Sequence, residues 1–313
     1  MLTPVRRIAV ALGAVAIAAC SGGSPSSPTP STPTGNTPTT PTPARPTVVA
    51  TVTDTVTGQS LGITTQEVEL LPARIEYSRT GYVTRSAWIT GTSPSIDLIP
   101  EAPPFSMDFY RLFARGGLDG RTLQVIRRWT RAPSIYLKTV DEAGAPMPTA
   151  QLDSVEQTVR ETAPLYTGGR FGIAMVERGT GTREGQSGWI TIKWPADALE
   201  ATCGRATVGP DGGYIELLYK RGGGCACGTL ATRPRTVAHE LGHSFGFWHT
   251  DSADDLMSGT GVFGCSGSPS ARERFHASIA YSRPPGNRDV DVDPVATAST
   301  TAFGRPPQIV ITD

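Results

Sequence analysis

The sequence predicts two folded parts of different class, a small all-β sandwich over residues 47–102 and an α+β domain over residues 127–294. Three observations carry this. Through the first span, short apolar runs alternate with polar residues and are separated by turn dipeptides. Through the second, period-two runs are interleaved with stretches whose apolar residues recur at helical spacing. Ahead of both lies a block of Ser, Thr, Pro and Gly with too few apolar residues to form a core. The 313 residues suffice for two domains with substantial cores. Formal net charge is zero and no basic stripe is present, which argues against nucleic acid as a partner.

Residues 1–20 have the form of a signal sequence: Arg6 and Arg7, an apolar run over 8–19, then Cys20. The run is too short to span a bilayer comfortably. Ile17, Ala18, Ala19 and Cys20 are similar to a bacterial lipobox, in which cleavage precedes the cysteine and lipid is attached to its thiol. The resemblance implies a bacterial cell-envelope protein held to the membrane by an N-terminal lipid. Ser21 follows the cysteine rather than Asp, which implies export onward to the outer membrane or cell surface. Residues 21–46 read as an extended tether, whose twenty-six residues at about 3.1 Å each reach roughly 80 Å.

In the β part, strands are expected at 48–52, 67–71, 75–77, 87–89 and 96–99, with Thr57-Gly58 and Thr80-Gly81 as turns. Residues 50–61, with Thr80, Gly81 and Tyr82, resemble the carboxypeptidase-regulatory-like sandwich found beside secreted bacterial enzymes. A ligand-binding module and a plain spacer both remain open for it. Residues 103–126 form a connector in which Phe105, Phe109, Tyr110, Leu112 and Phe113 recur at roughly helical spacing. Aromatics at that density are expected to dock one domain on the other. A latency segment over a cleft is the second reading.

The α+β part opens with a strand at 134–139, then a helix over 149–162 with Thr149 as N-cap and Pro164 as its end. Strands follow at 171–176 and 189–194, then a short run near 206–208 and a strand at 214–219, making five. A helix starts near Thr232 with Pro234 in its first turn, and Val237, Leu241 and Phe245 face the core. Ser268 and Pro269 open a last helix reaching about Tyr281, which packs through Phe275 and Ile279. His276 on it reads as an ordinary surface or core histidine. Asp289, Asp291 and Asp293 spell half a calcium loop, but Pro294 stands where glycine is wanted. A solvated acidic turn is the first reading and a structural Ca2+ the second. Residues 295–313 form a tail in which Ile309, Val310 and Ile311 can add a strand.

One stretch of the penultimate helix concentrates the chemistry. His239, Glu240, His243, Gly246 and His249 spell H-E-x-x-H-x-x-G-x-x-H, with three of the chain's four histidines. His239 and His243, four apart, share one helix face and can reach a single ion. A continuing helix would carry His249 roughly 15 Å past His239 and point it away. Gly246 is where the helix must end, because glycine accepts the left-handed conformation without a Cβ penalty. Three neutral imidazoles leave a fourth tetrahedral position for water, the arrangement of a catalytic Zn2+ site. Glu240 follows the first ligand and is placed to hold that water.

These residues resemble the metzincin clan of zinc endopeptidases, which adds a methionine in a tight turn beneath the metal. Met257 is the matching residue, at a separation from His249 similar to the matrixin branch. Gly259 stands where astacin- and serralysin-like members have tyrosine, and Thr250 differs from the residues that mark several branches. The resemblance implies a metzincin-like catalytic domain with a five-stranded mixed sheet. Its short fourth strand would run antiparallel, edge the cleft and pair with an extended protein or peptide substrate. Glu240 would act as general base in peptide-bond hydrolysis. Some matrixins are held latent by a prodomain cysteine, but none lies between Cys20 and Cys203. A reading from another class keeps the metal and drops the turnover: a catalytically silent, zinc-binding surface adhesin or binding module.

Export implies an oxidising compartment, in which Cys203, Cys225, Cys227 and Cys265 are disulfide candidates. Cys225 and Cys227 have one residue between them and are badly placed to bond each other. The two remaining pairings join them to Cys203 and Cys265. A metal site at Cys225 and Cys227 is the alternative, without the usual ligand spacing.

Overall fold

In the first folded part, β1 (Thr47–Asp54) buries every second residue, as a strand with one wet face must. The computed structural model describes residues 44–195, 202–210, 212–219, 225–259, 264–295 and 309–312. The expected signal sequence, the expected lipidation site Cys20, nearly all of the expected tether and most of the tail lie outside them. β1 pairs antiparallel with β2 (Ser60–Glu67), while β3 (Ala73–Tyr77) and β4 (Arg85–Ile89) form a hairpin. β5 (Ser95–Leu98) lies parallel to β1 on its other side. Val48, Ala50, Val52, Ile75, Tyr77, Ala87, Ile89, Ile96 and Leu98 fill the space between the two sheets. The strand expected at 67–71 is not there. β2 precedes it and is almost wholly exposed, so its pairing rests mainly on backbone bonds, and Leu61 and Ile63 are too few apolar residues to mark a strand.

The second part is α+β. Its sheet contains β6 (Ser134–Lys138), β7 (Val176–Gly179), β8 (Trp189–Lys193), β9 (Gly204–Thr207), β10 (Tyr214–Leu217) and β11 (Val310–Thr312). The order is β11-β9-β10-β8-β6-β7. β7, β6, β8 and β10 are parallel; β9 runs antiparallel to β10, and β11 antiparallel to β9. The expected five-stranded sheet therefore has a sixth member, and the fourth strand is covered along its outer edge. The expected strand at 171–176 gives way to β7, because Phe171 and Ile173 pack on the core from a loop and the ladder to β6 starts at Val176.

Four α-helices are described. α1 (Met107–Arg115) begins at Ser106, whose hydroxyl accepts Phe109 N–H, and ends on Gly116 in the left-handed region. α2 (Thr149–Tyr166) is capped by Pro148 rather than Thr149 and runs past Pro164 to Tyr166. Pro164 sits in its last turn, where one lost N–H bond costs little against the burial of Ala163 and Tyr166. α3 (Pro234–Ser244) packs against α2, β9 and β10. α4 (Ala271–Ser282) starts at a capping box formed by Ser270 and Glu273. The connector aromatics belong to the main core, where Phe113 stacks on Phe247 at 4.2 Å. His276 is buried too, and its Nε2 accepts the Ser106 N–H at 3.0 Å.

Residues Arg45–Asp313 form one compact unit, joined internally by charge. Arg283, fully buried, holds Asp291 through two 2.8 Å bonds and Asp97 of β5 at 2.5 Å. Arg85 of β4 bridges Asp97 at 2.5 Å and Asp293 at 3.1 Å. Arg111 takes Asp289 at 2.8 Å. The acidic turn read as half a calcium loop is thus committed to guanidinium partners. Its carboxylates join the β-sandwich to the end of α4 and are largely withdrawn from solvent, while Val290 between them stays exposed.

Candidate metal centre

α3 starts at Pro234 in the N1 position, where the missing N–H is no loss and the ring pre-sets φ. Val237 and Leu241 are fully buried on one side of it. His239, Glu240 and His243 are buried as well, while His249 is half-buried, so the motif opens to solvent at its third histidine. The helix stops through the pair of bonds that a glycine cap permits. Phe247 N–H reaches Gly242 O at 3.0 Å, and Gly246 N–H reaches His243 O at 2.8 Å. Gly246 has φ 99°, and a Cβ there would overlap the Arg127 carbonyl. Trp129 donates its indole N–H to Ser244 O at 2.8 Å and holds the helix end.

The reversal brings His249 back. Its Nε2 lies 3.3 Å from Nε2 of His239 and 3.2 Å from Nε2 of His243. Nitrogens about 2.0–2.1 Å from a tetrahedral zinc are roughly 3.3 Å apart, so the spacing matches such an ion. The far sides of two rings fix the tautomer. His239 Nδ1 faces Leu256 O at 2.6 Å, and His243 Nδ1 faces Phe247 O at 2.8 Å. A carbonyl only accepts, so each Nδ1 carries the proton and each Nε2 keeps its lone pair for a metal. Among the described residues, His239, His243 and His249 form a cluster able to hold a metal ion. This donor set is compatible with zinc.

Glu240 points from α3 toward β9. A Cβ on Gly204 would come within 2.5 Å of its Oε1, so glycine there makes room for the carboxylate. Met257 is fully buried, and its sulfur receives the Tyr166 hydroxyl at 3.2 Å. The turn containing Met257 is tied to the residue after His249, because Thr250 N–H donates to Met257 O at 2.7 Å. Gly259 packs on His249: an added Cβ would meet its Cβ at 3.2 Å and its ring at 3.3 Å.

Glu273 escapes a reading of the sequence. Its Oε1 accepts Met257 N–H at 2.7 Å and its Oε2 accepts Leu256 N–H at 3.0 Å. Burial pushes this carboxyl up, and the three backbone N–H groups of Met257, Ser270 and Leu256 act against that rise. Beside it, Asp255 accepts Arg272 at 2.5 Å and Ser270 at 2.9 Å. Ser270 and Glu273 stand in the capping-box pattern, which is legible; the reach of Glu273 to the methionine turn is not.

The disulfides are Cys203–Cys225 and Cys227–Cys265, one of the two pairings left open by the sequence. They exclude a metal site at Cys225 and Cys227. Cys203 directly precedes β9, and the carbonyls of Cys225 and Cys265 accept N–H bonds from Arg233 and Arg235 at the start of α3. Both bridges therefore brace the entrance to the metal helix. They also place the protein outside the reducing cytoplasm. No helix among the described residues is long and apolar enough to cross a membrane. No family model matches the chain, and neither does any curated protein.

Proposed function

We propose that the protein is a zinc-dependent endopeptidase of the bacterial cell envelope, anchored by a lipid on Cys20. The observation that carries the reading is the convergence of three histidines, with His249 Nε2 3.3 Å and 3.2 Å from the Nε2 atoms of His239 and His243, and Glu240 on the helix of the latter two. His239, His243 and His249 would hold the zinc. Bound there, zinc supplies Lewis acidity toward a carbonyl oxygen and toward water. The rest is the work of side chains. The Glu240 carboxylate takes a proton from the attacking water and delivers it to the leaving amine, so that one group serves as base and then acid. His239 and His243 keep their Nε2 lone pairs directed inward because Leu256 and Phe247 hold their Nδ1 protons. The metzincin resemblance of the motif and of Met257 supports the same chemistry.

The test is cleavage-site profiling of the purified protein on a mixed peptide library, with and without a chelator. Chelator-sensitive cleavage supports the reading. A protein that holds stoichiometric zinc and cleaves nothing in a broad pool is a binding module instead.

A further inference from the structure

β9 lies along the metal helix. At one end Gly204 makes room for Glu240, and just past the other Gly209 N–H donates to His243 O at 2.9 Å. One side of β9 is bonded to β10 and the other to β11. β11 pairs Val310 with Thr207, Ile311 with Ala206 and Thr312 with Arg205, so it runs along β9 toward Gly204 and Glu240. Val208 N–H extends the ladder to Ile309 O at 2.7 Å. An extended peptide cut at this centre has to present its backbone beside the metal helix, and the outer edge of β9 offers the free N–H and C=O groups that strand addition needs. β11 takes them first.

We infer that the segment Val310–Thr312 is an intrachain strap that occupies the peptide-binding edge of β9 and must be displaced before an extended peptide can pair there. The inference rests on the peptidase reading of the metal centre. The strap is short, with one well-buried anchor. Ile311 is 9% exposed and packs with Val208 and Trp248, the residue before His249; Val310 on the opposite face is 43% exposed. This small cluster is separate from the main core, so release of the strap leaves the rest of the fold in place. Strap and peptide compete for one set of backbone groups, and the peptide's apparent affinity falls with the fraction of molecules whose edge is open.

The experiment uses the full chain loaded with zinc, with Ile311→Asp to release the anchor and Val310→Asp as an equal charge on the outward face. The probe is a fluorescent synthetic peptide of residues 308–313, read by anisotropy, alongside kcat/KM on a library-derived substrate. Ile311→Asp is expected to bind the probe more tightly than wild type by on the order of tenfold or more, with kcat/KM rising in parallel. Val310→Asp should match wild type in both. Ile311→Ala, which buries no charge, should shift in the same direction as Ile311→Asp, and unchanged zinc content shows that each variant is folded. Equal probe binding by wild type, Ile311→Asp and Ile311→Ala overturns the strap, whatever the cleavage rates. Tighter probe binding with no cleavage by any form keeps the strap and removes the peptidase.

Discussion

The carboxylate of Glu273 accepts the backbone N–H of Met257 at 2.7 Å. Through its other oxygen it also holds Leu256, whose carbonyl fixes His239. A residue on α4 thus reaches a ligand on α3 through the methionine turn, without touching the metal position. Glu273→Gln turns one acceptor into a donor facing a donor. Losses of partners behind a metal ligand cost roughly 10–100-fold in affinity, and a fall of that size is expected in a zinc competition titration. Unchanged zinc affinity would mean that the turn holds itself.

Removal of a ligand is more severe. His243→Ala should abolish stoichiometric zinc in elemental analysis, where the wild type is expected to hold one ion per chain. Full retention by the variant would show that the ligand set is wrong.

Asp97 makes a prediction about acid. Burial raises its carboxyl, but Arg283 and Arg85 outweigh burial and hold it at about 2. Its unfolded value is about 3.9. A folded pKa below the unfolded one gives stability that is complete above about pH 4 and is lost as pH falls through about 2. Asp97→Asn should therefore cost about 2 kcal/mol at neutral pH, with the gap to wild type closing between about pH 4 and pH 2. Denaturation midpoints at several pH values measure this. A gap that stays constant across that window would assign the loss to packing instead.

Anchoring by lipid is tested at Cys20. Wild-type protein expressed in bacteria should incorporate a palmitate analogue and fractionate with membranes, and Cys20→Ser should do neither. A serine variant that is still labelled would end the lipobox reading.

What the sequence made legible is local. His239, Glu240 and His243 are fixed relative to each other by one helix, and Gly246 by the cap that ends it, so their arrangement follows from spacing alone. The strands with strict alternation, such as β1, could be read for the same reason. The parts that escaped depend on partners far along the chain. Glu273 meets Met257 across 16 positions, and Arg283 meets Asp97 across 186. Asp289, Asp291 and Asp293 look like cation ligands until their arginines are known. β2 is hard to read because Leu61 and Ile63 are its only apolar residues and nearly all of it is exposed. The covering of β9 by β11 was open to half a reading: the strand could be suspected from Ile309, Val310 and Ile311, its pairing partner could not.

The central claim, that this metal centre hydrolyses peptides with Glu240 as the proton carrier, is tested most directly by Glu240→Gln. The change keeps the side chain's shape and spares all three histidines. Zinc content should equal that of wild type, while kcat falls by roughly 10²–10⁴ with little change in substrate binding. A zinc-loaded Glu240→Gln protein that cleaves peptides as fast as wild type would contradict the account.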